Sequence, residues 1–155
     1  MISIRPGSAG DREALFALVS RIGNFNREEQ ELACEVIGEA LASDTSGYSL
    51  LVALGPRDQL AGFICYGPIP ITEKRWDIYW IAVDPQGARK GIGSKLLQAM
   101  ETALGPGQRI YIDTSSTPGY DSARNFYERH GYLVACLLPD FYRDGDHKIV
   151  FCKVL

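Results

Sequence analysis

The chain has 155 residues, 46% of them apolar and 23% charged, which suits a single globular domain spanning 1–155 with a real core. A net charge of −3 speaks against general nucleic-acid binding, which needs a basic surface. No apolar run approaches the roughly 20 residues that span a bilayer, so no membrane partner is expected.

Residues 2–5 read as a strand stopped by Pro6-Gly7. Met1-Ile2-Ser3-Ile4-Arg5-Pro6 lacks the shape of a signal peptide. Ser8 and Asp11 form a capping pattern that opens a helix carrying Leu15, Leu18, Val19 and Ile22 at helical spacing. Asn26 with Glu29 repeats the pattern before a second helix, with Leu32, Val36, Ile37, Ala40 and Leu41 expected inward. Three β runs follow: Tyr48–Leu54, Leu60–Tyr66 and Trp76–Val83. The first two are joined by a turn at Gly55-Pro56-Arg57-Asp58. A third helix places Ile92, Leu96, Leu97, Met100 and Leu104 on one face and stops at Gly105-Pro106-Gly107. Arg109–Thr114 reads as a strand and Ser115–Gly119 as a polar loop. Asp121–His130 reads as a helix with Ala123, Phe126, Tyr127 and His130 on one stripe, closed by Gly131. Tyr132–Leu138 and Lys148–Val154 complete the chain as an antiparallel pair joined through Asp140–Asp146. Hairpins mixed with crossover helices imply a mixed α/β sheet with helices on both faces.

The four cysteines, Cys34, Cys65, Cys136 and Cys152, show neither metal-pair nor C-x-x-C spacing. The last three lie in apolar strand-like runs and are expected to be buried free thiols in a reduced, cytoplasmic setting. His130 reads as helix-end packing and His147 as a strand surface residue. Two histidines without matched carboxylates imply no metal.

The stretch that carries most chemistry is Val83-Asp84-Pro85-Gln86-Gly87-Ala88-Arg89-Lys90-Gly91-Ile92-Gly93-Ser94. An apolar strand ends, a basic glycine-bearing loop follows, and a helix begins. Free N–H groups and the positive end of the helix dipole make such a junction an anion site. Gly91 and Gly93 allow close backbone approach, and Arg89 and Lys90 add two charges. A phosphorylated small molecule is the expected ligand. The loop lacks the G-x-x-x-x-G-K-[ST] pattern, which argues against a P-loop nucleotide site.

Ile78–Leu97, together with Ala123-x-x-Phe126-Tyr127-x-x-x-Gly131-Tyr132, resembles the GNAT superfamily of acyl-CoA-dependent N-acyltransferases. The order of elements matches as well, so the resemblance covers essentially the whole chain. It implies that family's fold: a central mixed, mostly antiparallel sheet of about seven strands flanked by about four helices. Two departures stand out. Ala88 and Arg89 replace the usual Gln/Arg and extra glycine of the loop, and Tyr120 stands where many members carry asparagine.

The resemblance implies transfer of an acetyl group from acetyl-CoA, a cosubstrate, to a primary amine by direct transfer in a ternary complex. The amine would belong to a small amine or amino-acid-like metabolite, or to a protein N-terminus. A non-catalytic acyl-CoA sensor on the same fold is the alternative. By the same resemblance Ile81, Ala82 and Val83 supply backbone contacts to the cofactor. Arg89, Lys90, Gly91, Ile92, Gly93 and Ser94 meet its diphosphate, and Asn125 joins the cofactor-binding set. Tyr127 would protonate the leaving thiolate, since a phenol near 10 and a thiol near 8.5 are closely matched. Asp77, at the start of the third β run of the hairpin series, would act as base, directly or through water. The acceptor would enter near Phe25, Asn26, Tyr79, Trp80 and the Asp140–Asp146 loop, with Asp140 and Asp144 attracting a cationic amine. A homodimer is left open.

Overall fold

The computed structural model describes residues 1–87 and 91–155. Seven strands and four helices form in the expected order: β1 (Ser3–Pro6), α1 (Arg12–Ser20), α2 (Arg27–Ala42), β2 (Ser49–Leu54), β3 (Leu60–Pro68), β4 (Arg75–Val83), α3 (Ile92–Leu104), β5 (Arg109–Ser115), α4 (Asp121–Arg129), β6 (Leu133–Arg143) and β7 (Asp146–Val154). The helix starts use the side chains the sequence offers. Asn26 Oδ1 accepts from the Glu29 N–H at 2.8 Å, and Asp11 Oδ2 accepts from the Ser8 N–H at 2.8 Å. Helix α4 ends on Gly131 at φ 84°. Gly131 N–H donates to Glu128 O, and Tyr132 N–H donates to Tyr127 O, the paired bonds of a Schellman cap.

The strands form one sheet in the order β1-β2-β3-β4-β5-β7-β6. Every neighbouring pair is antiparallel except β4 and β5, which are parallel. One face carries α1 and α2, whose Leu15, Leu18, Val19, Ala33, Val36 and Ile37 pack on Val52, Phe63 and Cys65. The other carries α3 and α4, whose Ile92, Leu96, Leu97, Met100 and Tyr127 pack on Ile64, Ile110 and Phe151. Each such buried side chain contributes about 2 kcal/mol of transfer free energy. No helix among the described residues is long and apolar enough to cross a membrane.

Strand β4 decides where the sheet opens. Its ladder with β3 slips by one residue: Trp80 lies opposite Cys65 and Ile78 opposite Tyr66, leaving Tyr79 as a bulge. The extra residue inverts the side-chain alternation and bends the strand. Before it, the even-numbered Trp76 and Ile78 belong to the α3/α4 core. After it, Ile81 and Val83 take that role, and Trp80 and Ala82 join the α1/α2 core. Pairing of β4 with β5 covers only Arg75–Ile78 against Arg109–Ile112. Past the bulge the two strands part.

Three expectations are corrected. Leu32 is exposed, because the inward stripe of α2 runs through Ala33, Val36 and Ile37. Cys136 is exposed rather than buried, because β6 is the last strand of the sheet and no helix covers it. The connection between the last two strands is also shorter than Asp140–Asp146. β6 runs on to Arg143 and β7 starts at Asp146, with a bulge at Asp140 (φ 51°) absorbing the extra residues.

Candidate active site

The parted strands enclose a cavity of about 1480 Å³ that reaches from the start of α3 to the β6–β7 turn. Its central wall is the free edge of β4. Asp84 N–H donates to Ala61 O at 2.9 Å, and in an antiparallel ladder bonding residues alternate. With Phe63 opposite Ala82 and Gly62 opposite Val83, Ala82 turns its main-chain groups to β3. Ile81 and Val83 turn theirs to the cavity.

At one end stands the first turn of α3. Gly91 adopts the left-handed conformation (φ 65°, ψ 25°), and its carbonyl accepts from Lys95 N–H at 3.0 Å. That bond opens the helix, so the N–H groups of Ile92, Gly93 and Ser94 have no intrahelical acceptor. A Cβ on Gly93 would lie 3.3 Å from the Phe126 ring, so α3 and α4 meet there at a distance only glycine accommodates comfortably. The Ser94 hydroxyl lies 2.9 Å from His130 Nε2, while His130 Nδ1 lies 2.8 Å from Phe126 O. A carbonyl only accepts, so Nδ1 carries the hydrogen and, in the neutral ring, Ser94 donates to Nε2. His130 thus clamps α4 onto the start of α3.

Deeper in, Tyr127 lines the cavity from α4, with its ring packed near Tyr132 (6.0 Å between centroids) and Phe151 (5.7 Å). Burial pushes its phenol well above the ordinary value of 10, with the nearby Tyr120 adding to the shift. The other two tyrosines beside it have partners: Tyr132 donates to Glu101 at 3.1 Å and Tyr120 to Glu29 at 2.7 Å. The Tyr127 hydroxyl has none among the described residues.

The Acetyltransferase (GNAT) family model matches residues 13–132. A GNAT-family protein from Desulfovibrio desulfuricans is 33% identical, with 99% of each chain covered and a TM-score of 0.91. The chain belongs to the GNAT acetyltransferase family. It is an acyltransferase, and its family uses acetyl-CoA. At the level of fold it is also similar to the ribosomal-protein-S18-alanine N-acetyltransferase from Escherichia coli (19% identity, 99% and 94% of the chains covered, TM-score 0.77). An aminoglycoside 6'-N-acetyltransferase complexed with coenzyme A gives 18% identity, 98% and 96% coverage and a TM-score of 0.73. No curated protein matches the sequence.

Set in this GNAT frame, most of the residues singled out from sequence converge. Ile81, Ala82, Val83, Gly91, Ile92, Gly93, Ser94 and Tyr127 all line the one cavity. Arg89 and Lys90, with Ala88, lie outside the described residues. Asn125 is exposed on α4 and is not part of the lining. Asp77 lies before the bulge, half-buried, and does not line the cavity either. Its carboxyl is raised by burial and by Asp113, against the pull of Lys148.

The acceptor end is built differently from expectation. Phe25, Asn26, Tyr79, Trp80, Tyr142, Arg143 and Asp146 do line the cavity, with Phe25 edge-on to Trp80 at 5.1 Å. Asp140 and Asp144 do not. Asp140 holds the hairpin instead: its Oδ1 accepts from Gly145 N–H and its N–H donates to His147 Nδ1, both at 2.8 Å. The buried carboxylate is Asp146, which accepts from Ser115 Oγ at 2.5 Å and from Arg143 Nη1 at 3.3 Å. Glu29, legible in the sequence only as a capping residue, lines the cavity from α2 and accepts the Tyr120 hydroxyl. Burial and then Glu29 hold the Tyr120 phenol above its ordinary value.

Proposed function

We propose that this chain transfers an acetyl group from acetyl-CoA to a primary amine, directly and within a ternary complex. One observation carries the reading: the unpaired edge of β4 runs between an anion-binding helix start and a buried tyrosine ring whose hydroxyl opens to the cavity and has no partner among the described residues. Those residues fit the cosubstrate. The free N–H groups of Ile92, Gly93 and Ser94 suit a diphosphate, with Arg89 and Lys90 of the same loop adding charge. The Ile81 and Val83 main-chain groups suit an amide-bearing chain laid along the strand. When bound, acetyl-CoA supplies an activated acyl group as a thioester.

The remaining work falls to this chain's residues. An N–H of Ile81 or Val83 aimed at a carbonyl oxygen that gains charge contributes about 3 kcal/mol. Tyr127 holds its proton at neutral pH because burial opposes the phenolate. It therefore serves as a standing hydrogen-bond donor to a leaving sulfur. Tyr120 commits its own hydrogen to Glu29 and so presents lone pairs outward. An amine proton accepted by the Tyr120 oxygen moves the phenolic hydrogen onto Glu29, and the charge balance closes there. Asp77 remains a second candidate base, favoured by its raised carboxyl but reached only from the far side of the bulge.

The acceptor is a small amine or amino-acid-like metabolite, or a protein N-terminus. Glu29 and Asp146 supply negative charge, and Phe25, Trp80 and Tyr142 supply apolar walls. Titration calorimetry with acetyl-CoA, followed by thiol release across a panel of α-amines, small diamines and peptides, tests this. Binding with amine-dependent thiol release is expected. No heat at millimolar acetyl-CoA overturns the donor, and binding without thiol release for any amine turns the reading to a sensor.

A further inference from the structure

His130 does not line the cavity, yet both of its ring nitrogens are committed. The ring lies against Phe126, 4.4 Å between centroids, at the C-terminus of α4. Nδ1–H donates to Phe126 O, which leaves Nε2 as the nitrogen that meets α3. Its partner there, Ser94, is half-buried, lines the cavity and is the third residue of α3. Side chains on a helix lean toward its N-terminus, so the Ser94 hydroxyl shares the anion end with the free N–H groups of Ile92, Gly93 and Ser94 itself.

We infer that His130 is a positioning residue for the diphosphate, acting through the Ser94 hydroxyl. While the imidazole is neutral, Nε2 only accepts, and Ser94 gives its one hydrogen to it at 2.9 Å. The hydroxyl then keeps only lone pairs for the ligand, and the donors at this helix start are main-chain N–H groups. A proton taken up at Nε2 reverses the bond. Nε2–H donates to the Ser94 oxygen, and the Ser94 hydrogen is released toward a diphosphate oxygen. The proton comes from solvent and no other bond changes. The negative end of the α4 dipole favours the imidazolium in this place. Protonation of His130 and binding of a diphosphate therefore support each other, and linkage makes the effect reciprocal. The charged groups around this corner come from three elements. Glu128 and Arg129 precede the ring on α4. Lys153 of β7 lies 3.7 Å from where a Cβ on Gly131 would stand, and Glu101 of α3 meets its charge at 2.9 Å. Lys95 lies with Ile4 on another side of α3. Acids and bases are matched on the His130 side, so the incoming diphosphate sets the balance. Arg89 and Lys90, outside the described residues, are common to every protein compared below. The role rests on acetyl-CoA being the donor.

Titration calorimetry with acetyl-CoA tests it, run at about pH 6.5 in two buffers that differ in heat of ionisation. The dependence of the heat on the buffer counts the protons taken up per ligand bound. For a coupling of about 10-fold, wild type is expected to take up about 0.5 proton more than His130→Gln. The phosphates of the ligand contribute equally to both and cancel. Ser94→Ala removes the link and is expected to fall to the His130→Gln level. Between about pH 5.5 and about pH 8.5 the wild-type dissociation constant is expected to rise about 10-fold more than that of either variant. Thermal melts record stability separately, since a merely structural clamp would lower the melting temperature of His130→Gln without changing the proton count. Equal uptake by wild type and His130→Gln overturns the inference and leaves the donor reading standing. Wild-type uptake in Ser94→Ala also overturns it, because charge then acts through space and not through the hydroxyl. No heat from any of the three proteins at millimolar acetyl-CoA overturns the donor reading itself, and this role with it.

Discussion

On the α3 side of the cavity the groups offered to a ligand belong to the main chain: the free N–H groups after Gly91 and the unpaired edge of β4. On the α2 side they are side chains: Glu29, Tyr120, Tyr142 and Asp146. A main-chain site is insensitive to most substitutions and fails only where a Cβ or a positive φ intervenes. A side-chain site tolerates almost any backbone and fails with each functional group it loses. The first arrangement suits a constant ligand and the second a variable one.

The largest break is expected where the two halves meet, at Tyr127. Tyr127→Phe removes one oxygen and keeps the ring against Tyr132 and Phe151. A lost proton donor costs about 100-fold or more in kcat. The acetyl-CoA dissociation constant is expected to stay within about 2-fold, since binding rests on main-chain groups. Single-turnover thiol release and calorimetry on the same preparation read the two separately, and an unchanged kcat removes Tyr127 from the chemistry.

On the side-chain half, Glu29→Gln keeps shape and removes the proton sink behind Tyr120. The acceptor kcat/KM is expected to fall about 10-fold at neutral pH and to recover as pH rises and the amine arrives neutral. Acetyl-CoA affinity should not move. A uniform fall at every pH would make Glu29 a structural partner of Tyr120 rather than a proton acceptor. On the main-chain half, Gly91→Ala adds a Cβ that meets nothing within 4 Å, so its only cost is the left-handed backbone at φ 65°. That is about 1 kcal/mol, or roughly 5-fold in acetyl-CoA affinity if the helix start frays, with the acceptor KM unchanged. Equal losses in both would erase the distinction between the halves.

The same distinction explains what could be read without the structure. Gly91-x-Gly93 and Ala123–Tyr132 are each a contiguous stretch, and the spacing within each sets its local geometry. Tyr120 and Glu29 are 91 residues apart, and Ser115 and Asp146 are 31 apart. Such partners meet only through strand order and register, which periodicity does not encode. The bulge at Tyr79 was hidden for a related reason. Arg75–Val83 is half-buried or buried throughout, so its pattern never alternates cleanly and cannot reveal an inverted face. An apolar residue at helical or strand spacing need not face the core: Leu32 lines the cavity from α2, and Cys136 lies on the open edge of the sheet.

A control outside both halves should fail them together. Arg5 on β1 grips Asp11 with two bonds of 2.8 Å just before α1. The Arg5 hydrogen bond, assisted by the Ser8 N–H and opposed by burial, holds the Asp11 carboxyl at about 2. Its value in the unfolded chain is near 3.9. Depression on folding means that the pair's stabilisation is complete above roughly pH 5 and is lost as pH falls through about 2. Arg5 is 41% exposed, so screening reduces the contribution to about 1 kcal/mol. Asp11→Asn should therefore lower thermal stability at pH 7, and the gap to wild type should close progressively in acid. On heating at pH 7, acetyl-CoA binding and amine turnover should be lost in parallel, at a lower temperature than in wild type, because the scaffold they share is what has been weakened. A variant that loses one before the other would mean that the N-terminal turn belongs to that half of the site.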